Sequence, residues 1–170
     1  MSPYDIRPAT PEDLDIVLYH RRRMFEDMGH TDRTVLEAML AASTPLLRRG
    51  LAEGSYRGWL VETSGAARAP RAAADGAAPG APRVVAGGGI IVLDFQAHPI
   101  DPRPQRAWVV NMFTEPEHRR RGLARRLMDT MLAWCRAQEM RYLYLHASDE
   151  GRPLYESLGF ELTNEMRRAL

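Results

Sequence analysis

Three features of this 170-residue chain predict an α/β (α+β) fold. Runs rich in β-branched and aromatic residues recur along it, amphipathic helical periodicities separate them, and one central unit reads strand, helix, strand. That unit, residues 107–114, 120–138 and 142–147, implies a parallel pair joined by a right-handed crossover. The length suits one domain, 1–170, whose core needs neither disulfides nor metal.

Residues 4–7 make a short first strand. Thr10, Pro11 and Asp13 then form a helix-start signature: a capping hydroxyl, a proline in the first turn and an acid three residues after the cap. Leu14, Val17, Leu18, Phe25 and Met28 recur at helical spacing and Gly29 suits a stop, so the first helix spans about 11–28. A second helix begins near Asp32 or Arg33, with Val35, Leu36, Met39 and Leu40 on one face. Pro45 must kink or restart it, and it ends before Gly54.

Residues 56–63 and 83–93 read as the two strands of a hairpin. Their connector, 64–82, has almost no large apolar side chain and cannot offset its ordering entropy, so a flexible Ala/Gly/Pro-rich insertion is expected there. Gly87, Gly88 and Gly89 inside the second strand mark a bulge or a close backbone approach. The helix at 120–138 buries a stripe of Leu123, Leu127, Met131 and Trp134 or Cys135. Residues 153–158 make a short helix, and 160–170 supply a last strand.

The 23 basic residues, all arginine, nearly cancel 22 acidic ones, and a net charge of +1 singles out neither nucleic acid, membrane nor an acidic partner. Cys135 is the one cysteine, so there is no internal disulfide framework and no cysteine-based zinc site; it reads as a buried thiol, not a nucleophile. Residues 1–15 lack the basic start and apolar stretch of a secretory signal, and no apolar run approaches the roughly 18 residues that cross a membrane. A cytoplasmic location is expected.

The segment that carries chemistry is 114–124, TEPEHRRRGLA, where a strand meets a helix. A helix start offers unpaired N–H groups and a partial positive charge that can hold a pyrophosphate. Gly122 and Ala124 let a phosphate approach, and Arg119, Arg120 and Arg121 add charge at the mouth. The same residues also read as a solvated basic helix start. No Gly-Lys-Ser/Thr follows the glycine and no G-x-G-x-x-G opens a helix, which argues against nucleotide hydrolysis.

Arg119-x-x-Gly122-x-Ala124 after the turn Thr114-Glu115-Pro116 resembles the pyrophosphate loop of the GNAT superfamily of N-acetyltransferases. A second match is the family's N-x-x-A-x-x-L-Y followed by G-F, here Ser148, Gly151, Leu154, Tyr155, Gly159 and Phe160, with serine and glycine replacing the usual asparagine and alanine. The resemblance covers nearly the whole chain except 64–82. It implies a mixed, mostly antiparallel sheet with one splayed parallel strand pair, helices on both faces, and acetyl-CoA as donor with coenzyme A as product.

It also implies roles. Backbone at Met112, Phe113 and Thr114 would pair with pantetheine and polarise the acetyl carbonyl; Arg119, Arg120, Arg121, Gly122, Leu123 and Ala124 would hold the pyrophosphate, with Ser148 a further cofactor contact. Tyr155 is the candidate acid for the departing thiolate, although without the motif it reads as a core tyrosine on a short amphipathic helix. His146, at a strand end, could accept an amine proton, since its reference pKa lies near neutrality. Glu115 is read as favouring the helix N-terminus electrostatically. Asp27 and Asp32 could attract an ammonium acceptor or be solvated acids at helix ends, and Met24, Phe25 and Met28 read as core.

The expected activity is therefore direct acetyl transfer to a primary amine of a small molecule or protein, by a chain that could form a homodimer and uses no metal. An acyl-CoA-binding regulatory module is the first alternative. A nucleic-acid-binding domain built on RRRGLARR is disfavoured, because that helix needs its apolar stripe for the core and no aromatic platform interleaves its arginines.

Overall fold

Five strands lie side by side in chain order in the computed structural model, which describes residues 2–63 and 83–169: β1 (Tyr4–Pro8), β2 (Tyr56–Thr63), β3 (Val84–Asp94), β4 (Gln105–Thr114) and β5 (Leu143–Tyr144). The first three junctions are antiparallel and only β4 and β5 run parallel. Helices α1 (Leu14–Asp27), α2 (Arg33–Glu53), α3 (Leu123–Ala137) and α4 (Arg152–Glu156) complete the fold.

Strand alternation decides which helix meets which face. Trp59, Val61, Val85, Ile90 and Val109 pack with the α3 stripe of Leu123, Leu127, Met128, Met131 and Cys135. Tyr56, Ile91 and Val110 face the other way, onto Leu14 and Val17 of α1 and Leu47 of α2. The helices thus cover both faces, as the sequence resemblance implies. α2 continues through Pro45 as one helix; the hydroxyls of Ser43 and Thr44 bond the carbonyls of Met39 and Leu40 just before it. At the start of α1, Asp13 accepts hydrogen bonds from the Thr10 backbone N–H at 2.8 Å and its hydroxyl at 3.1 Å.

Other expectations need correction. Residues 160–169 form no strand; Leu162 and Met166 there are 82% and 94% exposed, so their side chains find no face to bury. The strand expected at 142–147 is only two residues long. Met28 and Val35, expected in the helical stripes, are exposed around the α1–α2 connection, and the buried histidine His20 takes a place on the inner side of α1. The insertion expected at 64–82 lies outside the described residues.

The feature that shapes the sheet is a β-bulge. Gly89 pairs with Val110 and Gly87 with Phe113, so Gly88 opposes both Asn111 and Met112. Asn111 takes a left-handed φ of 59°, which breaks the alternation: Val110 and Asn111 both face α1 and α2, while Met112 returns toward α3. Three side chains cross the opposing glycines. A Cβ on Gly88 would stand 2.2 Å from Met112 Sδ, one on Gly87 2.7 Å from His20 Nδ1, and one on Gly89 2.5 Å from the Tyr56 ring. The reading of this glycine run as a bulge with close approach holds on both counts.

Candidate active site

A bulged strand bends, and the pairing of β4 with its parallel neighbour ends just before the bulge. The pairing with β5 ends at Trp108 opposite Tyr144, while β4 continues to Thr114. Past the bulge, Phe113 and Thr114 are paired to β3 at Gly87 and Ala86, and none of Met112, Phe113 and Thr114 is paired to β5. Main-chain groups facing that gap can bond an extended ligand, apart from the Thr114 carbonyl, which Arg119 already occupies.

Beyond β4 the chain makes a 3₁₀ turn at Pro116–His118 and enters α3 through two left-handed residues, Arg120 at φ 59° and Gly122 at φ 76°. Arg126 N–H is the first to bond back into the helix, to Gly122 O at 3.0 Å, so the N–H groups of Leu123 and Ala124 precede the helical ladder. No acidic residue stands in the first turn of α3, and nothing lies within 4 Å of the Cβ position of Gly122. Successive N–H groups in such a conformation form an anion-binding concavity. These features fit a pyrophosphate.

The arginines divide. Arg120 is exposed without a hydrogen bond to a described residue. Arg121 donates to Glu117 O at 3.2 Å. Arg119 is a strut: its Nε donates to Thr114 O at 2.9 Å, its Nη2 pairs with Asp27 at the end of α1, and its guanidinium lies 5.9 Å from the Phe113 ring centre. The two acids read as possible ammonium attractors are thereby committed, Asp27 to Arg119 and Asp32 to capping α2 through the N–H groups of Thr34 and Val35.

Tyr155, on α4, is half-buried against the α3-side core, with Phe160 edge-on at 5.9 Å. Burial raises its phenol pKa, so it stays protonated at neutral pH. Its hydroxyl makes no hydrogen bond to a described residue. The Ser148 side chain accepts from Gly151 N–H at 3.2 Å, closing the turn that leads into α4. His146 lies on the other side, against Trp108 at 4.9 Å, its Nε2 3.2 Å from Glu165 Oε1, and its ring is largely exposed. Tyr155 and His146 are thus not hydrogen-bonded to each other but come from either end of the segment that follows β5. Cys135 is buried and its thiol is pushed up to about 11 by burial, which fits an inert thiol.

Sequence reasoning missed a buried polar group beneath α1. Asn111 Oδ1 accepts from Arg21 Nη1 at 3.0 Å, and its Nδ2 donates to Tyr56 Oη at 3.4 Å. Glu115, expected at the mouth of α3, is instead buried, accepting from the Tyr19 hydroxyl at 2.9 Å. His20 packs tilted against Phe113 at 5.2 Å, and its buried Nε2 finds no partner among the described residues. The polar Asn111 amid apolar β4 positions was the available signal.

The acetyltransferase (GNAT) family model matches residues 38–160. A solved GCN5-related N-acetyltransferase from Ralstonia eutropha JMP134 is 31% identical, with a TM-score of 0.80 and 98% of each chain covered. A predicted acetyltransferase from Clostridium acetobutylicum, solved with acetyl-CoA, is 22% identical at a TM-score of 0.79, with 98% of this chain and 96% of that one covered. AAC(6')-Iy, solved with the bisubstrate analogue CoA-S-monomethyl-acetylneamine, is 17% identical at a TM-score of 0.60, with coverage of 99% and 98%. No curated protein sequence matches the chain significantly.

Proposed function

The chain belongs to the acetyltransferase (GNAT) family, and from that membership we propose that it is a single-domain enzyme over 1–170 that moves an acetyl group directly from acetyl-CoA to a primary amine. The observation that carries the reading is the gap beside Met112, Phe113 and Thr114, which opens one loop away from the anion-binding start of α3. An extended pantetheine arm with a pyrophosphate at its end matches that pair of features. Acetyl-CoA being the ligand of a structural neighbour supports the same reading.

Acetyl-CoA supplies the thioester whose carbonyl carbon the amine attacks. Leu123 and Ala124 N–H groups, with Gly122 leaving room and Arg120 and Arg121 adding charge, bind the pyrophosphate. Backbone N–H groups of β4 in the gap stabilise the oxyanion that develops at the carbonyl. Tyr155 gives its phenolic proton to the sulfur as the C–S bond breaks, and its raised pKa suits an acid rather than a base. His146 accepts the proton lost by the amine, directly or through water. Ser148 is given the turn-closing role; Arg119 acts by bracing the loop against α1.

The test is thiol release from acetyl-CoA across protein N-termini, lysine peptides, polyamines, amino acids and amine antibiotics, with a no-acceptor control. Acceptor-dependent release is expected. Thermal stabilisation by acetyl-CoA without release for any amine would instead support the binding-module alternative; at 100 times Kd that stabilisation is about 2.7 kcal/mol.

A further inference from the structure

We propose that Arg21 is the anchor for an oxyanion carried by the acceptor, so that the substrate class is small amines bearing a carboxylate or phosphate; this rests on the acetyl-transfer reading above. Three arginines follow one another in α1, and their partners differ. Arg22 lies 3.8 Å from both Glu26 and Glu37, and Arg23 lies 3.1 Å from Glu26. Arg21 has no carboxylate within ion-pair distance among the described residues. Its Nε donates to Ser43 Oγ at 3.1 Å and to Met39 Sδ at 3.1 Å, and its Nη1 donates to Asn111 Oδ1 at 3.0 Å. Every one of these acceptors is neutral.

A guanidinium carries five N–H donors. The bonds described leave both hydrogens of Nη2 and one of Nη1, the end that meets a carboxylate or phosphate as a fork. Burial without a counter-ion lowers the pKa of Arg21, the electrostatic signature of a cation left unneutralised. Removing a cation from water without an opposite charge is unfavourable, and a ligand anion would offset that cost. The side chain is nevertheless held from three sides, by α2, by the bulge in β4 and by the Phe25 ring 5.2 Å from its Cζ, so little rotamer freedom remains to be lost on binding.

Its position fits the acceptor. The bulge puts Val110 and Asn111 on the same side of β4, and Asn111 directly precedes the strand segment that borders the gap. Trp108 shares that side by strand alternation, stacked on Tyr144 at 5.4 Å and meeting the tilted ring of His146 at 4.9 Å. Arg21 and the aromatic stack thus stand on one face of β4, on the α1 side, whereas the α3 side carries the pyrophosphate loop and Tyr155. An amine anchored by its anion at Arg21 would approach the gap from the face opposite the donor.

Amines matched except for the anion test this: an amino acid against its amide, and phosphoethanolamine against ethanolamine. The wild type should favour the anionic member of at least one pair by about 100-fold in kcat/KM, as for a charge-assisted bonded pair. The two pairs tell carboxylate from phosphate. Arg21→Gln should bring the ratio close to one while acetyl-CoA Kd is unchanged, and Arg21→Lys, which keeps the charge without the fork, should fall between. Binding is followed in parallel by thermal shift with coenzyme A present. If no amine is acetylated, anion-dependent stabilisation that Arg21→Gln abolishes still supports the anchor and removes only the transfer reading. Equal rates and equal shifts for both members of each pair, or a preference untouched in folded Arg21→Gln and Arg21→Lys, would overturn the anchor.

Discussion

Single residues carry the sharpest consequences. His20 is 1% exposed and burial pushes its pKa down to about 4, below the usual value of 6.5. The folded protein therefore holds it neutral, and the unfolded chain binds the extra proton between those values. Its neutral form is favourable above pH 6.5 and that stability is lost as pH falls toward 4, by on the order of 3 kcal/mol. Urea unfolding at pH 7 and pH 4.5 should show this loss, and His20→Leu should flatten it. Tyr155→Phe should lower single-turnover acetylation about 100-fold with acetyl-CoA Kd little changed; unchanged turnover would remove the acid role. Tyr155 could be singled out from its motif, whereas His20, Arg21 and Glu115 could not. Their environments are made by residues distant in the chain, such as Phe113 against His20 and Tyr19 beneath Glu115.

Among the elements, β4 and α3 set the geometry. The bulge depends on Gly88, because any Cβ there meets the Met112 sulfur. Gly88→Val should cost about 3 kcal/mol through overpacking, read as a lower urea midpoint, and should weaken acetyl-CoA binding by shifting Met112 and its neighbours. Gly122→Glu acts differently. It places a side chain at φ 76°, at a cost of roughly 1–2 kcal/mol, and a carboxylate at an anion site. Calorimetry should find acetyl-CoA binding abolished while the protein stays folded. The glycine run was legible as a bulge, since three glycines have little other reason to interrupt a β-branched strand. Its register was not, because nothing local tells which partner residue is doubled. Residues 160–170 misled for a related reason: their apolar spacing suits a strand, but β5 is too short to extend the sheet there.

Over the whole molecule, the sheet order and the two helical layers bring distant segments to one gap. The described residues on either side of 64–82 are joined at the sheet, with Thr63 N–H bonded to Arg83 O at 3.0 Å. Replacing 64–82 by Asn-Gly should therefore keep the hairpin register and raise stability by on the order of 1–2 kcal/mol through a lower closure entropy. Chemical unfolding and acetyl-CoA titration of the shortened chain check this; lost cofactor affinity would show that the connector takes part in the site.

The order of residues was enough for the strand–helix–strand unit, the α3 stripe and the glycine-bearing helix start, because each rests on periodicity or backbone freedom within a few residues. It also carried the family resemblance through Arg119 to Ala124 and Tyr155 to Phe160. What the charges do depends on packing between distant segments. Arg119 became a brace because Asp27 arrives from α1, Asp32 a cap, and Glu115 a buried acceptor. Arg21 was left beside neutral groups while its neighbours found carboxylates. Charge pairing is set by distance in space and by local water, neither of which the order of residues states.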